Sequence, residues 1–188
     1  FNRTGNDGSI LSFAKSGTAV GSIGTTGGRL VMYGSTSGTG AGWYFGSNVL
    51  LPTNNTGATS DNGIDLGKFN IRFNDAYVTN GVTTGSDGNY KQDIEELNAA
   101  ETAVAIACKG LLRKWRWIDA VEAKGADARI HFGIIAQDLQ AAFEAEGLDA
   151  GDYAMFISTT WTDEETNEEQ TRLGVRYSQL LAFIITSI

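Results

Sequence analysis

The sequence predicts an all-β unit followed by an α+β unit in one chain of 188 residues, and three observations lead to this prediction. Residues 1–90 contain 18 of the 24 glycines and no glutamate, and their five Lys and Arg balance five Asp. Short apolar runs separated by Gly- and Asn-rich turns are typical of many short strands. Residues 91–188 carry the whole net charge of −8 and show helical as well as alternating apolar patterns. Such a change in composition and charge indicates two structural units.

Five apolar runs are the strand candidates of the first unit: Ile10–Phe13, Val20–Ile23, Leu30–Tyr33, Trp43–Phe45 and Val49–Leu51. Most of these runs offer only two or three large apolar side chains, too few for a self-sufficient core in a small unit. A β-sandwich or a small barrel remains open on this evidence. A trimeric, interwound β-structure would also bury the side chains, since glycine allows backbones to approach closely at an axis.

The second unit is predicted to contain helices, strands and a hairpin. Residues 90–112 are a helix candidate, because their apolar residues fall near helical spacing and Asn89 and Gln92 resemble a capping box. A long β-hairpin with an acidic, solvated tip is predicted for about residues 153–175. The other elements are strands over Lys114–Ile118 and Arg129–Ile135, a helix over Ala136–Gly147 with Leu139 and Phe143 inward, and a helix over Tyr177–Ile188.

Composition argues against several classes of protein. One cysteine, Cys108, rules out an internal disulfide framework, and one histidine, His131, argues against a His-rich metal site or a Ser-His-Asp triad. The net charge of −8 argues against a nucleic-acid partner. No run of 18 apolar residues exists and no signal peptide is visible at the start. We therefore expect no metal, no cofactor, no nucleic acid and no membrane contact.

Ser86 and Lys91, at the junction of the two units, are a candidate catalytic pair. Serine is a poor nucleophile until a base removes its proton. A lysine can be that base only if its ammonium form is destabilised, by burial or by a position at a helix N-terminus. The predicted helix places Lys91 in its first turn. On spacing alone, a polar turn followed by a capping segment explains the same residues.

Four other candidate sites have simpler explanations. Asp65 and Asp75 could be paired carboxylates for glycoside hydrolysis, although ordinary turn aspartates explain them. His131 is predicted to be a strand residue with a structural hydrogen bond. Cys108 is predicted to be a core residue on the apolar face of a helix. Trp115 and Trp117 are predicted to be a packing pair rather than a ligand platform.

Several blocks of the sequence resemble a known family. They are Ile64–Gly67, Arg72–Val78, Gly81–Val82, Ser86–Asp87, Lys91, Ile94, Phe132–Leu139 and Val175–Leu180. In order and spacing, these blocks resemble the endosialidase-type intramolecular chaperone, the self-cleaving C-terminal domain of phage tailspikes and tail fibres. The resemblance covers about residues 60–188. Residues 1–60 are similar only in style to the Gly-rich stalk that precedes such domains.

The resemblance implies a fold, an assembly and a location. It implies a trimeric, interwound all-β stalk (a triple β-helix) over residues 1–86, followed by an α+β chaperone domain over residues 87–188 with a protruding hairpin at about 153–175. It implies a homotrimer in which the chaperone drives trimerisation and folding of the upstream tailspike or fibre chain of the same polypeptide. Assembly would take place in the host cytoplasm, and the stalk would remain in the virion tail.

The resemblance also implies a chemistry and its site. Family members cut themselves once, as serine autopeptidases with a Ser-Lys dyad, which makes Ser86 the nucleophile and Lys91 the base. The family points to the Ser86–Asp87 bond, whereas attack on the preceding carbonyl, the easier geometry, would cut Gly85–Ser86. The chain departs from the family in having Gly88–Tyr90 where basic residues are common. A permanently attached structural or receptor-binding fibre tip, and a carbohydrate-active enzyme, are the competing functions.

Overall fold

The computed structural model describes residues 2–34, 40–163 and 165–186, and the chain divides into two compact units. The first unit covers Phe1–Asp75 and the second covers Ala76–Ile188. The domain boundary after residue 86 stays a prediction.

The first unit contains a five-stranded antiparallel sheet in which each strand pairs with the next along the chain. Its strands are β1 Gly8–Lys15, β2 Thr18–Thr26, β3 Arg29–Gly34, β4 Gly42–Phe45 and β5 Leu50–Thr53. The five apolar runs of the sequence give these five strands, so the all-β character of this unit is confirmed. The interwound trimeric stalk predicted for residues 1–86 is not shown here, because β1–β5 pair within one copy of the chain.

Tight turns connect the first three strands. Ser16 and Gly17 have φ of 52° and 81°, and Gly27 and Gly28 have φ of 58° and 70°. Positive φ at both central positions matches the twist of the flanking strands and so favours a two-residue hairpin. The Asp7 carboxylate accepts hydrogen bonds from the backbone of Gly28 at 3.2 Å and of Gly27 at 2.6 Å. These bonds favour the ionised form and lower the pKa of Asp7.

The second unit begins with an extended stretch. All residues from 76 to 98 are exposed, and the only regular element among them is a single turn of 3-10 helix, Gly88–Tyr90. A single copy of the chain therefore gives this stretch no core to pack against.

The first helix of the second unit, α1 Ala99–Cys108, begins nine residues later than the sequence predicted. Asp93 has a φ of 52°, in the left-handed region, and a right-handed helix cannot continue through it. The N-terminus is set by Asn98, whose side chain accepts a hydrogen bond from the backbone N–H of Glu101 at 2.9 Å, while the Glu101 carboxylate accepts from the N–H of Asn98 at 2.8 Å. This is the capping box, and the one predicted at Asn89 is wrong.

The remaining elements of the second unit are β6 Leu112–Trp115, α2 Ile118–Lys124, β7 His131–Ile134, α3 Ala136–Ala145, β8 Phe156–Thr162, β9 Glu169–Val175 and α4 Tyr177–Ile185. Strands β6 and β7 form one antiparallel pair, and β8 and β9 form the predicted hairpin. The strand predicted over Lys114–Ile118 is wrong at its end, because Ile118 begins α2, a helix that the alternating sequence concealed. The last two residues of the predicted C-terminal helix lie outside the described residues.

The core of the second unit lies between α1, α3, α4 and β8. Its buried members are Val104, Ala105, Cys108, Ile134, Ala136, Leu139, Phe143, Ala150, Met155, Phe156, Leu180 and Phe183. Leu139 and Phe143 face inward as predicted, and the Phe143 ring lies 4.5 Å from that of Tyr153 and 6.0 Å from that of Phe183, between centroids. Cys108 is also buried as predicted, and this burial raises the pKa of its thiol.

Candidate functional site

Ser86 and Lys91 lie in direct contact. The Lys91 Nζ donates a hydrogen bond to the Ser86 Oγ at 2.8 Å. The contact spans the single turn of 3-10 helix formed by Gly88–Tyr90, and Lys91 follows it in an extended conformation, with φ of −122° and ψ of 147°. The position of Lys91 in the first turn of a long helix, expected from the sequence, is therefore wrong. The lysine reaches the serine across a short turn instead.

Polar contacts within five residues define this turn. The Asp87 Oδ1 accepts hydrogen bonds from the backbone N–H and the side-chain Nδ2 of Asn89, both at 2.9 Å. The backbone N–H of Tyr90 donates to the Asp87 carbonyl at 3.2 Å, and that of Lys91 donates to the Gly88 carbonyl at 3.1 Å. The sequence Asp-Gly-Asn suits this geometry, because Asp is a good N-cap and Gly and Asn adopt turns readily.

The direction of the hydrogen bond defines what the pair can do. As an ammonium donor, Lys91 leaves the Ser86 oxygen as acceptor, and a serine in that state keeps its own proton. A neutral lysine would instead accept the hydroxyl proton and activate the serine. Both side chains are exposed in this chain. Water favours the charged form of a lysine, so activation requires an environment that removes solvent from the pair.

Several other residues singled out from the sequence make contacts with their neighbours. The Asp75 carboxylate accepts a hydrogen bond from the Asn74 side chain at 2.6 Å. Trp115 and Trp117 form the predicted packing pair, with ring centroids 6.4 Å apart in an edge-to-face arrangement. His131 is in strand β7, as predicted, with its ring 6.0 Å from that of Trp117. The structural hydrogen bond predicted for His131 stays a prediction.

The hairpin tip is organised by its first acidic residue. The Asp163 Oδ1 accepts hydrogen bonds from the backbone N–H groups of Thr166 at 2.9 Å and Glu165 at 3.0 Å, and these bonds lower the pKa of Asp163. Asn167 completes the turn with a φ of 57°. Glu164 lies outside the described residues. The charges of Glu165 and Glu168 stay exposed, as predicted for a solvated tip.

Sequence analysis missed a contact that joins two of the recognised blocks. The Tyr177 hydroxyl accepts a hydrogen bond from the backbone N–H of Ile134 at 3.1 Å. A side chain at Gly133 would collide with the Tyr177 hydroxyl and with the Trp115 ring. Glycine is therefore required at position 133 for the start of α4 to dock on the end of β7. The Gly in a strand pattern was the available signal, because it marks close approach of another group.

A second missed contact ties α1 to the region before β8. The Tyr153 hydroxyl donates to the Glu101 carboxylate at 3.0 Å, and that carboxylate also accepts from the N–H of Asn98. Burial, followed by the hydrogen bond to Glu101, raises the pKa of Tyr153. One glutamate thus both caps a helix and anchors a neighbouring segment.

The described residues contain neither a metal site nor a membrane-spanning helix. Within residues 2–34, 40–163 and 165–186, no group of three or more His, Cys, Asp or Glu side chains could hold a metal ion. No helix in this described part of the chain has the length and apolar character needed to span a membrane.

Comparison with known proteins identifies the region that contains the pair. Residues 86–148 match the profile of a family described as the chaperone of endosialidase, whose profile name also classes it with the peptidases. The match begins at Ser86 and includes Lys91, and it extends through β7 and the whole of α3.

Two curated relatives show similarity over a longer stretch. The "Probable tail spike protein" of Klebsiella phage 0507-KN2-1 is 40% identical over 124 residues, which cover 62% of this chain and 10% of the relative. The "Tail spike protein" of Escherichia virus K5 is 31% identical over 158 residues, which cover 78% of this chain and 24% of the relative. The chain therefore spans less than a quarter of the length of either relative.

The chain also resembles solved structures in fold. One of them is the carboxy-terminal domain of the bacteriophage T5 L-shaped tail fibre with its intra-molecular chaperone domain, with a TM-score of 0.73 over 97% of this chain and 51% of that one. At 21% sequence identity this likeness concerns the fold alone. It agrees with the mixture of helices and strands in the second unit. The resemblance drawn from the sequence motifs is thus confirmed by the match of residues 86–148 to the profile of the chaperone of endosialidase family.

Proposed function

We propose that the chain is the intramolecular chaperone of a phage tail spike or tail fibre, and that it drives trimerisation and folding of the upstream chain before cutting itself free. The family match and the similarity to two tail spike proteins support the chaperone role. The single observation that supports self-cleavage is the contact of 2.8 Å between Ser86 and Lys91. The upstream part would remain in the virion tail, and assembly would take place in the host cytoplasm.

The exposed stretch before α1 supports a homotrimer. Tyr77, Val82 and Tyr90 are 92%, 88% and 91% exposed, far more than apolar side chains tolerate in a finished assembly. We infer that the part of this stretch before Ser86 belongs to the stalk predicted over residues 1–86 and winds with the same residues of two other copies, as a triple β-helix does. Three copies would bury these side chains and pair backbone groups that one copy leaves to water.

A trimeric base helps folding for a physical reason. Interwinding three chains requires non-local contacts, which form slowly and leave unpaired strands open to aggregation. A folded chaperone domain on each chain fixes the register and raises the local concentration of the three strands. Release of the chaperone after folding would make the assembled fibre kinetically stable, because the nucleating base is gone.

For the Gly85–Ser86 bond, the proposed cleavage step uses Ser86 as nucleophile and Lys91 as base. With Lys91 neutral, the Ser86 Oγ attacks the carbonyl carbon of Gly85 and the hydroxyl proton passes to the Lys91 Nζ. The proton then moves to the amide nitrogen of Ser86, which leaves, so the amide bond becomes an ester. Water hydrolyses this ester to a carboxylate on Gly85 and a free amine on Ser86. Each chain is cut once, as a single-turnover serine autopeptidase.

The bond that is cut has two candidates. Cleavage of Ser86–Asp87, which the family resemblance implies, requires attack by Ser86 on its own carbonyl through a strained four-membered ring. Cleavage of Gly85–Ser86 avoids that ring. Sequencing the new N-terminus decides between them, since the released fragment would begin with Asp87 in the first case and with Ser86 in the second.

The experiment that tests this function compares wild type with single variants on a denaturing gel after folding. We expect the wild-type chain to give two fragments, produced by cleavage at one of the two bonds between residues 85 and 87. Ser86→Ala and Lys91→Ala should form trimers, measured by light scattering, yet remain uncut. The double variant should lose no more cleavage than either single variant, because the dyad acts as a unit. Lys124→Ala, an exposed lysine elsewhere in the second unit, is the matched control and should be cut normally.

Two outcomes would overturn the proposal. Normal cutting of Lys91→Ala would mean that another group is the base. A folded wild-type trimer that stays whole would favour the competing function, a permanently attached structural or receptor-binding tip.

A further inference from the structure

The contact between Ser86 and Lys91 needs an explanation because of their separation in sequence. In an extended chain, five residues span roughly 17 Å. The Ser86 Oγ and the Lys91 Nζ are 2.8 Å apart. The single 3-10 turn between them shortens the path to about 2 Å per residue and brings the flanking residues back toward each other. The dyad contact therefore exists only while this turn is formed.

Packing does not hold the turn. Every residue from 84 to 94 is exposed, so no core surrounds this part of the chain. Besides its two backbone hydrogen bonds, the turn is held by the Asp87 Oδ1, which accepts both from the N–H and from the Nδ2 of Asn89 at 2.9 Å. An isolated single turn of this kind is marginal in water, and the loss of a capping acceptor shifts its equilibrium strongly.

We propose that Asp87 is the positioning residue of the dyad: its Oδ1 caps the 3-10 turn and thereby holds the Lys91 Nζ on the Ser86 Oγ. The proposal rests on the proposed self-cleavage and adds a residue to it. Asp87 holds the turn because its Oδ1 is a hydrogen-bond acceptor, and the negative charge of the carboxylate is not needed. Both donors to this oxygen are N–H groups of Asn89, which carries no charge. An asparagine at position 87 offers the same acceptor and ranks with aspartate as a cap.

The second unit contains a matched control for this role. The Asp149 Oδ1 accepts from the N–H of Gly151 at 2.8 Å and caps another single 3-10 turn, Ala150–Asp152. Ala150 is 1% exposed, so this turn is anchored in the core as well as capped. Asp149→Ala removes the same kind of hydrogen bond as Asp87→Ala but leaves the contact of Ser86 with Lys91 untouched.

The test measures the rate of self-cleavage in the full chain from a time course on denaturing gels, with trimer formation followed by light scattering. Asp87→Ala should slow cleavage about fivefold to tenfold, as expected for the loss of one cap. Asp87→Asn should restore most of that rate and show the same pH dependence as wild type. Asn89→Ala keeps the backbone donor but loses the Nδ2 donor, so its rate should lie between those of Asp87→Ala and wild type. Asp149→Ala should cleave like wild type.

A second readout does not depend on cleavage. In a Ser86→Ala background, hydrogen exchange of the Asn89 backbone amide should become faster with Asp87→Ala and return toward its original rate with Asp87→Asn. Wild-type cleavage in Asp87→Ala, or no rescue by Asp87→Asn, would overturn the positioning role while leaving the dyad in place. Cleavage that persists in Ser86→Ala would overturn the proposed function itself, and the role of Asp87 with it.

Discussion

The two units of this chain differ in how much apolar surface one copy buries. In the second unit, twelve residues form one buried cluster around Leu139 and Phe143. In the described part of the first unit, Val31 is the one buried apolar residue, while Phe13, Trp43 and Phe45 are 50%, 41% and 39% exposed. Both units have regular hydrogen-bonded elements, so secondary structure is not what separates them. A core within one copy is present in the second unit and nearly missing from the first.

Several apolar side chains of the first unit share one face of its sheet. Ile23, Met32, Trp43 and Pro52 are register partners on four neighbouring strands, and side chains at paired positions share a face. Val31, one residue from Met32, is buried on the opposite face. Met32 and Trp43 on this face are each 41% exposed, and so much exposed apolar surface on neighbouring strands is typical of an interaction surface. From this difference we expect the first unit to depend on association and the second unit to fold on its own core.

The largest expected effect comes from separating the units. Residues 76–188 expressed alone should fold, with helical circular dichroism and a cooperative thermal transition, because their core is internal. Residues 1–75 expressed alone should show no cooperative transition, or should aggregate, since one copy buries too little apolar surface. A reversible, cooperative transition of monomeric 1–75 would contradict the comparison.

The next effect compares one phenylalanine from each unit. Phe143→Ala should lower the free energy of unfolding by about 3–5 kcal/mol, because its ring is fully buried. Phe45→Ala should change that free energy by less than about 1 kcal/mol in the monomer, since the ring is already partly exposed. Phe45→Ala should nevertheless weaken trimer formation. Urea unfolding at low concentration and sedimentation at high concentration measure the two quantities separately. If both variants lowered the free energy of unfolding of the monomer equally, the two units would not differ in how much apolar surface one copy buries.

The sequence was sufficient for those features that depend on local pattern. Alternation and turn residues predicted the five strands of the first unit and the hairpin of the second. Helical spacing predicted the burial of Leu139 and Phe143 in α3. The family motifs selected Ser86 and Lys91, which local turn geometry brings together. In each case the determining residues lie within a few positions of one another.

Two features of the second unit were not predicted from the sequence: the residue at which α1 begins and the long-range contact of Tyr177. The sequence predicted a capping box at Asn89, whereas the structure has it at Asn98. Asn98 forms the box, because Asn89 is engaged by the Asp87 side chain and Asp93 has a positive φ that interrupts a helix. The contact of Tyr177 with Ile134 joins residues 43 positions apart, and no local pattern reveals it.

A smaller effect is expected at this long-range contact. Gly133→Ala should destabilise the second unit by about 1–3 kcal/mol, because its methyl group would meet the Tyr177 hydroxyl and the Trp115 ring. Tyr177→Phe in the same background should recover part of the loss by removing the hydroxyl. Gly110→Ala is the control, since nothing lies within 4 Å of a side chain placed there. Thermal unfolding of the single variants, the double variant and the control gives the coupling, and additive losses at Gly133 and Tyr177 would argue against the contact.

The smallest expected effect is at the tip of the hairpin, where acid should loosen the turn. Hydrogen bonds from Thr166 and Glu165 lower the pKa of Asp163 below its ordinary value of 3.8. A lowered pKa in the folded state means that the carboxylate stabilises the turn above about pH 4, and that this contribution disappears as the pH falls through the lowered value. Hydrogen exchange of the Glu165 and Thr166 amides should therefore show unchanged protection between about pH 7 and 5 and a loss of protection below about pH 4, after correction for the intrinsic pH dependence of exchange.

Asp163→Asn keeps an acceptor that does not titrate, so its tip should lose no protection over the same range. Helical circular dichroism, recorded in parallel, reports on the helices separately from the tip, and any change in it should be the same in both proteins. Parallel acid responses of wild type and Asp163→Asn would show that the tip is not held by the ionised Asp163.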